Sequence, residues 1–379
     1  MGHEAARQGC AGRLTLVVAL TCLVLGACNG TRRPGHGDTE GAKSPTSSPG
    51  RRDSSGAIEA PPGSSTPSKP LPGGTRAWRL TRPARQGQIE GFATASSGLP
   101  GTLVGLRIST TASTYRVRAY RFGAYDGGDA HAVWASTRLP GARQPAATFA
   151  DHGRRTIVAP WRTSVVVDTG GWAPGLYVFK LVASTGWQAH VPYVVSSLQS
   201  RERTAVVFPV TTWQAYNDWG GYSLYKGPAG DRRSWAVSFD RPYPAPGAGE
   251  MLFGAVPVAV AAERLGIPLA WFTNVDLDRR PDALVGAAAY VSSGHDEYWT
   301  AAMRGRVRTA RGAGTNLAFL GANTMYWRVR LEDDRRVVVG YRTDAVLDPA
   351  SPAQRTGLWR DAGRDRAESE LTGMQYECF

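Results

Sequence analysis

Four apolar runs in the second half of the chain are each followed at once by side chains able to do chemistry. AVVFPV (205–210) runs into TTWQAYNDWGGYSLY, with Tyr216, Asn217 and Asp218. PLAWFTN (268–274) is followed by Asp276 and Asp278, ALVGAAAYVSS (283–293) by Gly294-His295-Asp296-Glu297, and NLAFLGA (316–322) by Asn323. Asn, Asp and Ser gather at turns and helix caps for local reasons. Acids, amides, a histidine and tyrosines at four successive run ends exceed what capping alone explains. A histidine titrates near neutral pH and can move protons. Asp276 and Glu297 could pair as the two acids of a glycosidase, although nothing in the spacing sets their separation.

Several chemistries are excluded. The chain has no G-x-S-x-G elbow and no phosphate-binding G-x-x-x-x-G-K-[ST] loop. No cysteine stands at the turn after residue 293, and the H-x-E of His295 and Glu297 lacks the second histidine of a zinc protease helix.

The apolar runs are the elements that must position these groups. Near-continuous apolar strands belong to parallel sheets covered on both faces. Helix-like stretches lie between them, GEMLFGAVPVAVAAERLG (249–266) and YWTAAMRGRVRTARGAG (298–314). In such sheets ligands bind beyond the carboxyl ends of the strands, which is where these residues stand. The region is therefore expected to be an α/β domain over 200–379. Residues 77–199 read differently. IEGFATAS, TLVGLRIST, TYRVRAYRFG, HAVWAS, RTSVVVDT, GLYVFKLVAS and HVPYVVSS are short, β-rich and often alternating. They predict an immunoglobulin-like β-sandwich. The whole is expected to be an α+β protein of two domains. His190, His131 and His152 read as plain surface histidines.

The amino terminus carries no such pattern. Residues 14–27, LTLVVALTCLVLGA, follow Arg7 and Arg13 and are too short to span a bilayer, which takes roughly 20 residues. A basic start, an apolar core and Leu25-Gly26-Ala27-Cys28 describe a signal peptide (1–27) ending in a lipobox, with Cys28 as the lipid acceptor. Residues 28–76 are rich in Pro, Gly, Ser and Thr and predict a disordered tether. The expected location is extracytoplasmic, anchored to a bacterial membrane. Cleavage there leaves Cys378 as the one unmodified cysteine, which excludes disulfides and cysteine-based metal sites. The charge of +13 is carried almost wholly by arginine, the lysines being Lys43, Lys69, Lys180 and Lys226. With no run of four basic residues and no nucleic-acid motif, no nucleic-acid partner is expected.

TTWQAYNDWGGYSLY, DLD, SGHDEYW and GANTMYWRVR, with IEGFAT, YRVRAYRFGAYDG and GLYVFKL upstream, resemble the large-subunit family of N,N-dimethylformamidase from about residue 85 onward. The resemblance implies a glutamine-amidotransferase-like α/β fold for the second domain and a mononuclear ferric iron held by two tyrosinates and a glutamate. Motif by motif, it assigns the metal to Tyr177, Tyr216 and Glu297, and a substrate-lining, catalytic role to His295 and Asn323. Phenolates and carboxylates are hard oxygen donors that suit a trivalent ion. The implied reaction is hydrolysis of a small amide. Two departures stand out: the α/β domain reads as C-terminally truncated, and Arg342 replaces the family's lysine. The alternative is a non-enzymatic cell-wall or carbohydrate-binding lipoprotein, with Trp213, Trp219, Tyr222, Tyr225, Trp299 and Trp327 stacking on sugars.

Overall fold

The computed structural model describes residues 73–228, 232–361 and 367–376. The predicted signal peptide, the lipobox cysteine and nearly all of the tether lie outside the described residues.

The first half is built of β1 (Ile89–Ala93), β2 (Leu103–Thr110), β3 (Thr114–Tyr125), β4 (Gly128–Ala135), β5 (Val165–Asp168), β6 (Gly175–Ala183) and β7 (Gln188–Val195). They form two antiparallel sheets, ordered β1-β2-β5 and β7-β6-β3-β4, with the two-residue strand Ser97–Gly98 pairing parallel to β7. The two sheets share one core, in which Ile89, Leu106, Val117, Val167, Phe179 and Val191 meet.

Strand β3 explains how this layer joins the rest. Up to Ala119 it alternates, with Tyr115, Val117 and Ala119 buried and Arg116 and Arg118 exposed. From Tyr120 onward the outer face becomes apolar as well, because Tyr120 and Phe122 pack into a second core. That core also contains Leu176 and Val178 of β6 and Phe208, Met251, Val256 and Trp271 of the second half. Both layers belong to one compact unit.

The second half is centred on β8 (Thr204–Phe208), β10 (Leu269–Thr273), β11 (Ala289–Ser293) and β12 (Asn316–Leu320), with β9 (Ala236–Ser238) inserted between β8 and β10. The four strands are parallel in the order β10-β8-β11-β12. Chain order steps from β8 to one side and then back to the other, so the switch lies between β8 and β11. Helices α1 (Val210–Tyr216), α2 (Val256–Arg264), α3 (Asn274–Arg279) and α4 (Ala301–Gly312) surround the sheet. A small antiparallel sheet, β9 with β14 (Val337–Val339) and β13 (Arg330–Glu332), adjoins it in the order β9-β14-β13. The chain is thus a mixed α+β protein. Among the described residues no helix is long and apolar enough to cross a membrane.

Element boundaries depart from expectation for local reasons. The run 205–210 does not stay extended. The strand stops at Phe208, Pro209 takes the N-cap position and α1 begins. The helix expected over 249–266 opens with a π-turn, Met251–Ala255, before α2. Pro257 has no N–H to give the preceding turn, and a wider turn accommodates that loss. Tyr298 and Trp299, expected in a helix, form a short strand paired with Trp327 and Arg328, and Thr300 caps α4 by accepting from Met303 N.

Candidate metal and active site

Tyr216 is the last residue of α1, and the chain then turns back through Gly220 and Gly221, whose φ values are +78° and +90°. A Cβ on Gly220 would lie 2.7 Å from Ile157, so the turn requires glycine both for conformation and for space. The turn returns Tyr225 onto Tyr216, with ring centroids 4.3 Å apart and planes 22° from parallel. His295 and Glu297 come from the end of β11, across the topological switch from α1. Their backbone is held by the α1 threonines: Thr212 Oγ1 accepts from Glu297 N (2.9 Å), and Thr211 Oγ1 donates to the Tyr298 carbonyl (2.7 Å).

Three groups converge on a single carboxylate oxygen. Glu297 Oε2 accepts from Tyr216 Oη at 2.9 Å and from Tyr225 Oη at 2.8 Å, and lies 3.1 Å from His295 Nε2. Tyr216 Oη is also 3.1 Å from His295 Nε2, and Tyr298 donates to Tyr225 at 2.8 Å. The other oxygen, Oε1, is fixed by Trp327 Nε1 at 3.0 Å. Glu297 is only 3% exposed. Burial first, and then the Glu297 charge, push the Tyr216 phenol well above its ordinary pKa. Burial, Tyr298 and Glu297 do the same to Tyr225, with the Arg342 charge opposing. Both phenols therefore keep their protons unless a cation displaces them.

His295 is oriented by its second nitrogen. Nδ1 lies 3.1 Å from the Ala322 carbonyl, which can only accept, so Nδ1 carries hydrogen and Nε2 faces the tyrosines and the glutamate. Burial disfavours its cation. The hydrogen bond and charge of Glu297, the Ala322 carbonyl and the charge of Glu250 outweigh this and raise its pKa. Ala322 and Asn323 follow β12. Asn323 holds a left-handed backbone (φ +55°), and its Oδ1 is buried with no partner among the described residues. Asn323 thus flanks the carbonyl that orients His295. Its side chain forms no hydrogen bond with Glu297 among the described residues. Arg342 lies over Tyr225, its guanidinium 3.8 Å from the ring centroid and 4.9 Å from that of Trp327.

An open cleft of about 550 Å³ leads to this group, lined by Trp213, Tyr216, His295, Glu250, Phe253 and Leu320. Its floor is backbone. A Cβ on Gly321 would lie 1.8 Å from the Gly294 carbonyl oxygen, so only glycine permits this approach of β12's end to β11's.

One expected ligand is not here. Tyr177 sits on β6, where Tyr177, Phe179 and Leu181 face the core between the sandwich sheets while Leu176 and Val178 face the second half. The alternation turns its ring away from the parallel sheet. It lies 5.0 Å from Trp172 in a stacked pair and donates to the Ala173 carbonyl at 2.6 Å. Tyr177 therefore stands apart from Tyr216 and Glu297, contrary to its expected place with them, and the tyrosine beside them is Tyr225. Tyr225 ends the same TTWQAYNDWGGYSLY motif that contains Tyr216. The paired glycines between them were the signal that the motif folds back on itself.

Other expectations also change. Asp276 accepts from Ser97, Ser196, Thr273 N and Thr273 Oγ1, at 2.7–2.8 Å. It caps α3 and ties it to the sandwich, which removes it as a glycosidase partner for Glu297. Asp278 accepts from Thr300 and Arg335. Trp219, Trp299 and Trp327 are buried at 7%, 1% and 4% exposure, and so present no face to a sugar. His190 is buried, not superficial.

Among the described residues no group of three or more His, Cys, Asp and Glu side chains is placed to hold a metal. Residues 116–379 match the family described as N,N-dimethylformamidase beta subunit-like, C-terminal. The chain belongs to this family. No curated protein matches the chain. A solved structure of a Paenibacillus sp. cycloisomaltooligosaccharide glucanotransferase with cycloisomaltoheptaose is similar over 56% of this chain, at 10% identity and a TM-score of 0.19. The likeness spans 28% of that chain and is too loose to support an argument. Within the dimethylformamidase-like family match fall Tyr177, Tyr216, Tyr225, His295, Glu297, Asn323 and Arg342 alike. Membership therefore does not choose among the tyrosines.

Proposed function

We propose that the protein is an iron-dependent, N,N-dimethylformamidase-like hydrolase that cleaves the C–N bond of an amide. The supporting observation is the convergence of Tyr216, Tyr225 and His295 on one oxygen of Glu297. Two phenols already donate to that one carboxylate oxygen, and the imidazole nitrogen crowds it further. A cation taking the place of the phenolic protons would be met by hard oxygens from Tyr216, Tyr225 and Glu297, which fits ferric iron. Such an ion would keep both phenols ionised at neutral pH, polarise an amide carbonyl and acidify a water.

The chain's own residues supply the rest. Trp327 holds Glu297 Oε1, so the carboxylate keeps one orientation. His295, with Nδ1 pinned, presents Nε2 as the atom that takes or gives a proton, the departing amine being its natural acceptor. Asn323 supplies an amide beside the cleft for a hydrogen bond to an oxygen gaining charge. The deep placement of Glu297 keeps bulk water from its carboxylate. As parts of the same reading, the two-sheet layer is immunoglobulin-like, the parallel-sheet layer is glutamine-amidotransferase-like, and lipidated Cys28 anchors the protein outside the cytoplasm. A stacking carbohydrate binder is disfavoured by the burial of its tryptophans.

The test is elemental analysis and visible absorption of the purified full chain, followed by an amide-hydrolysis screen. Iron near one per chain with a tyrosinate-to-iron absorption band is expected, and both are lost in Glu297→Gln. A colourless protein that takes up no iron when ferric or ferrous salt is supplied overturns the reading.

A further inference from the structure

The cleft above the Glu297 group is larger and differently lined than an amide of a few atoms requires. Its volume of about 550 Å³ lies within the range of sites that bury drug-sized ligands. Its mouth is apolar: Phe253 is 88% exposed and Leu320 52% exposed, two large side chains left in water at one opening. Phe253 is presented by the π-turn Met251–Ala255, and such turns recur at functional sites because they re-aim a side chain from a helix start.

Glu250 lines both this cleft, with Phe253, and a smaller one of about 180 Å³ that shares Trp213 and Tyr216 with it. Many of the chain's acids are answered by its abundant arginines. Asp151, Asp240, Glu263, Asp278, Asp344 and Asp348 each meet an arginine. Glu250 is exposed and makes no ion pair or side-chain hydrogen bond among the described residues. No lysine or arginine lines either cleft. Glu250 and His295 line the same cleft, so a cation held by Glu250 would share that cleft with His295. Phe253 supplies an aromatic face beside the carboxylate, the pairing that recognises organic ammonium groups.

We infer that the site takes an amide bearing an apolar or aryl spacer and a cationic group, with Glu250 and Phe253 reading the cation and the spacer. This rests on the amide-hydrolase reading and names the substrate class of the same site. Glu250 is then a specificity residue and not a catalytic one.

The experiment uses the full chain and two probes of similar size, 4-(aminomethyl)benzamide and the neutral 4-ethylbenzamide. Dissociation constants come from titration calorimetry, and hydrolysis is followed separately by released ammonia. The cationic probe is expected to bind about tenfold more tightly, the combined scale of an exposed ion pair and a cation–π contact. The ratio should fall to near one in Glu250→Gln, and Phe253→Ala should weaken both probes. An electrostatic effect of Glu250 through His295 alone would alter both probes together and leave the ratio unchanged, so a retained ratio in Glu250→Gln overturns the assignment. Equal binding of the two probes to the unaltered protein, or binding of neither, also overturns it. Cation-selective binding without turnover of either probe sustains the inference about the cleft and counts against the hydrolase. Turnover of small neutral amides without cation selectivity does the reverse.

Discussion

The molecule contains two clusters of nearly the same inventory. In the sandwich, Tyr125, Tyr177, Glu263 and the cation Arg121 gather beside a cavity of about 580 Å³. At the sheet end, Tyr216, Tyr225, Glu297 and His295 gather beside a cleft of about 550 Å³. Cavity size and residue types do not separate them. Their hydrogen bonds do. Glu263 is neutralised by a permanent cation, with Arg121 at 2.5 Å, and accepts from Ala124 N at 3.0 Å. Tyr177 gives its proton to a backbone carbonyl. Every charge in that cluster is already answered, and its task is to fasten α2 to β3. Gly123 permits this closeness, since a Cβ there would lie 2.1 Å from Glu263 Oε2. Among the described residues Glu297 has no arginine paired with it. Its Oε2 is met by two phenols and an imidazole, all of which can change protonation, while Oε1 is held by the Trp327 indole. A buried carboxylate whose donors can give up their protons is a site, while one sealed by a guanidinium is a fastener.

Exchanging the tyrosines tests that contrast most sharply. Tyr225→Phe removes an oxygen donor, and iron content and the visible band are expected to fall at least tenfold, as loss of even indirect metal support commonly does. Tyr177→Phe should leave both unchanged and cost about 1 kcal/mol in urea denaturation, the scale of one hydrogen bond. Loss of iron from Tyr177→Phe with iron retained in Tyr225→Phe would reverse the assignment of the two clusters. The next effect is on stability. Glu263→Gln leaves Arg121, only 11% exposed, without its countercharge. A loss of about 3–5 kcal/mol is expected, read from the urea midpoint, with iron binding intact. A loss below about 1 kcal/mol would mean that Arg121 finds another acceptor, and the fastener reading of that cluster would fall.

How much of this could be read from the chain follows from what each signal reports. The parallel strands were legible because burial on both faces leaves continuous apolar runs, and the sandwich strands because burial on one face leaves alternation, as in TYRVRAY. Glu297, His295 and Tyr216 stood out because they follow such runs directly. Tyr225 did not, because its place depends on a Gly-Gly turn whose direction the pattern does not encode. Tyr177 was misplaced because motif order says nothing about which side of a strand a residue faces, whereas the alternation Leu176-Tyr177-Val178 does. Asp276 looked like chemistry and is a cap, a distinction set by Ser97 and Ser196 from distant segments. The π-turn was hidden within a run of helix formers, with Pro257 its one local cue.

Histidine offers the same contrast on a smaller scale. His295 is raised by Glu297, whereas His190 is driven down to about 4, mainly by burial, with Lys180 adding to the shift and the Trp78 carbonyl opposing it. Lys180 is its cross-strand partner and is itself committed to the Ala77 and Arg79 carbonyls, at 2.9 and 2.6 Å. His190 Nε2 meets the Trp78 carbonyl at 2.8 Å, and its Nδ1 is buried with no partner among the described residues. A second proton would therefore be placed on an atom with no acceptor, beside a like charge. In the unfolded chain the same imidazole protonates near 6.5. Between those two values the unfolded state binds more protons, so folding stability is fully present above about pH 6.5 and falls as the pH drops toward 4. The whole window is worth about 3 kcal/mol. Urea midpoints measured at pH 7 and pH 4.5 should differ by most of that amount in the unaltered protein. They should converge in His190→Gln, whose amide can still donate to Trp78 but cannot be protonated. An undiminished pH dependence in that variant would move the acid sensitivity away from the segment that crosses β6 and β7.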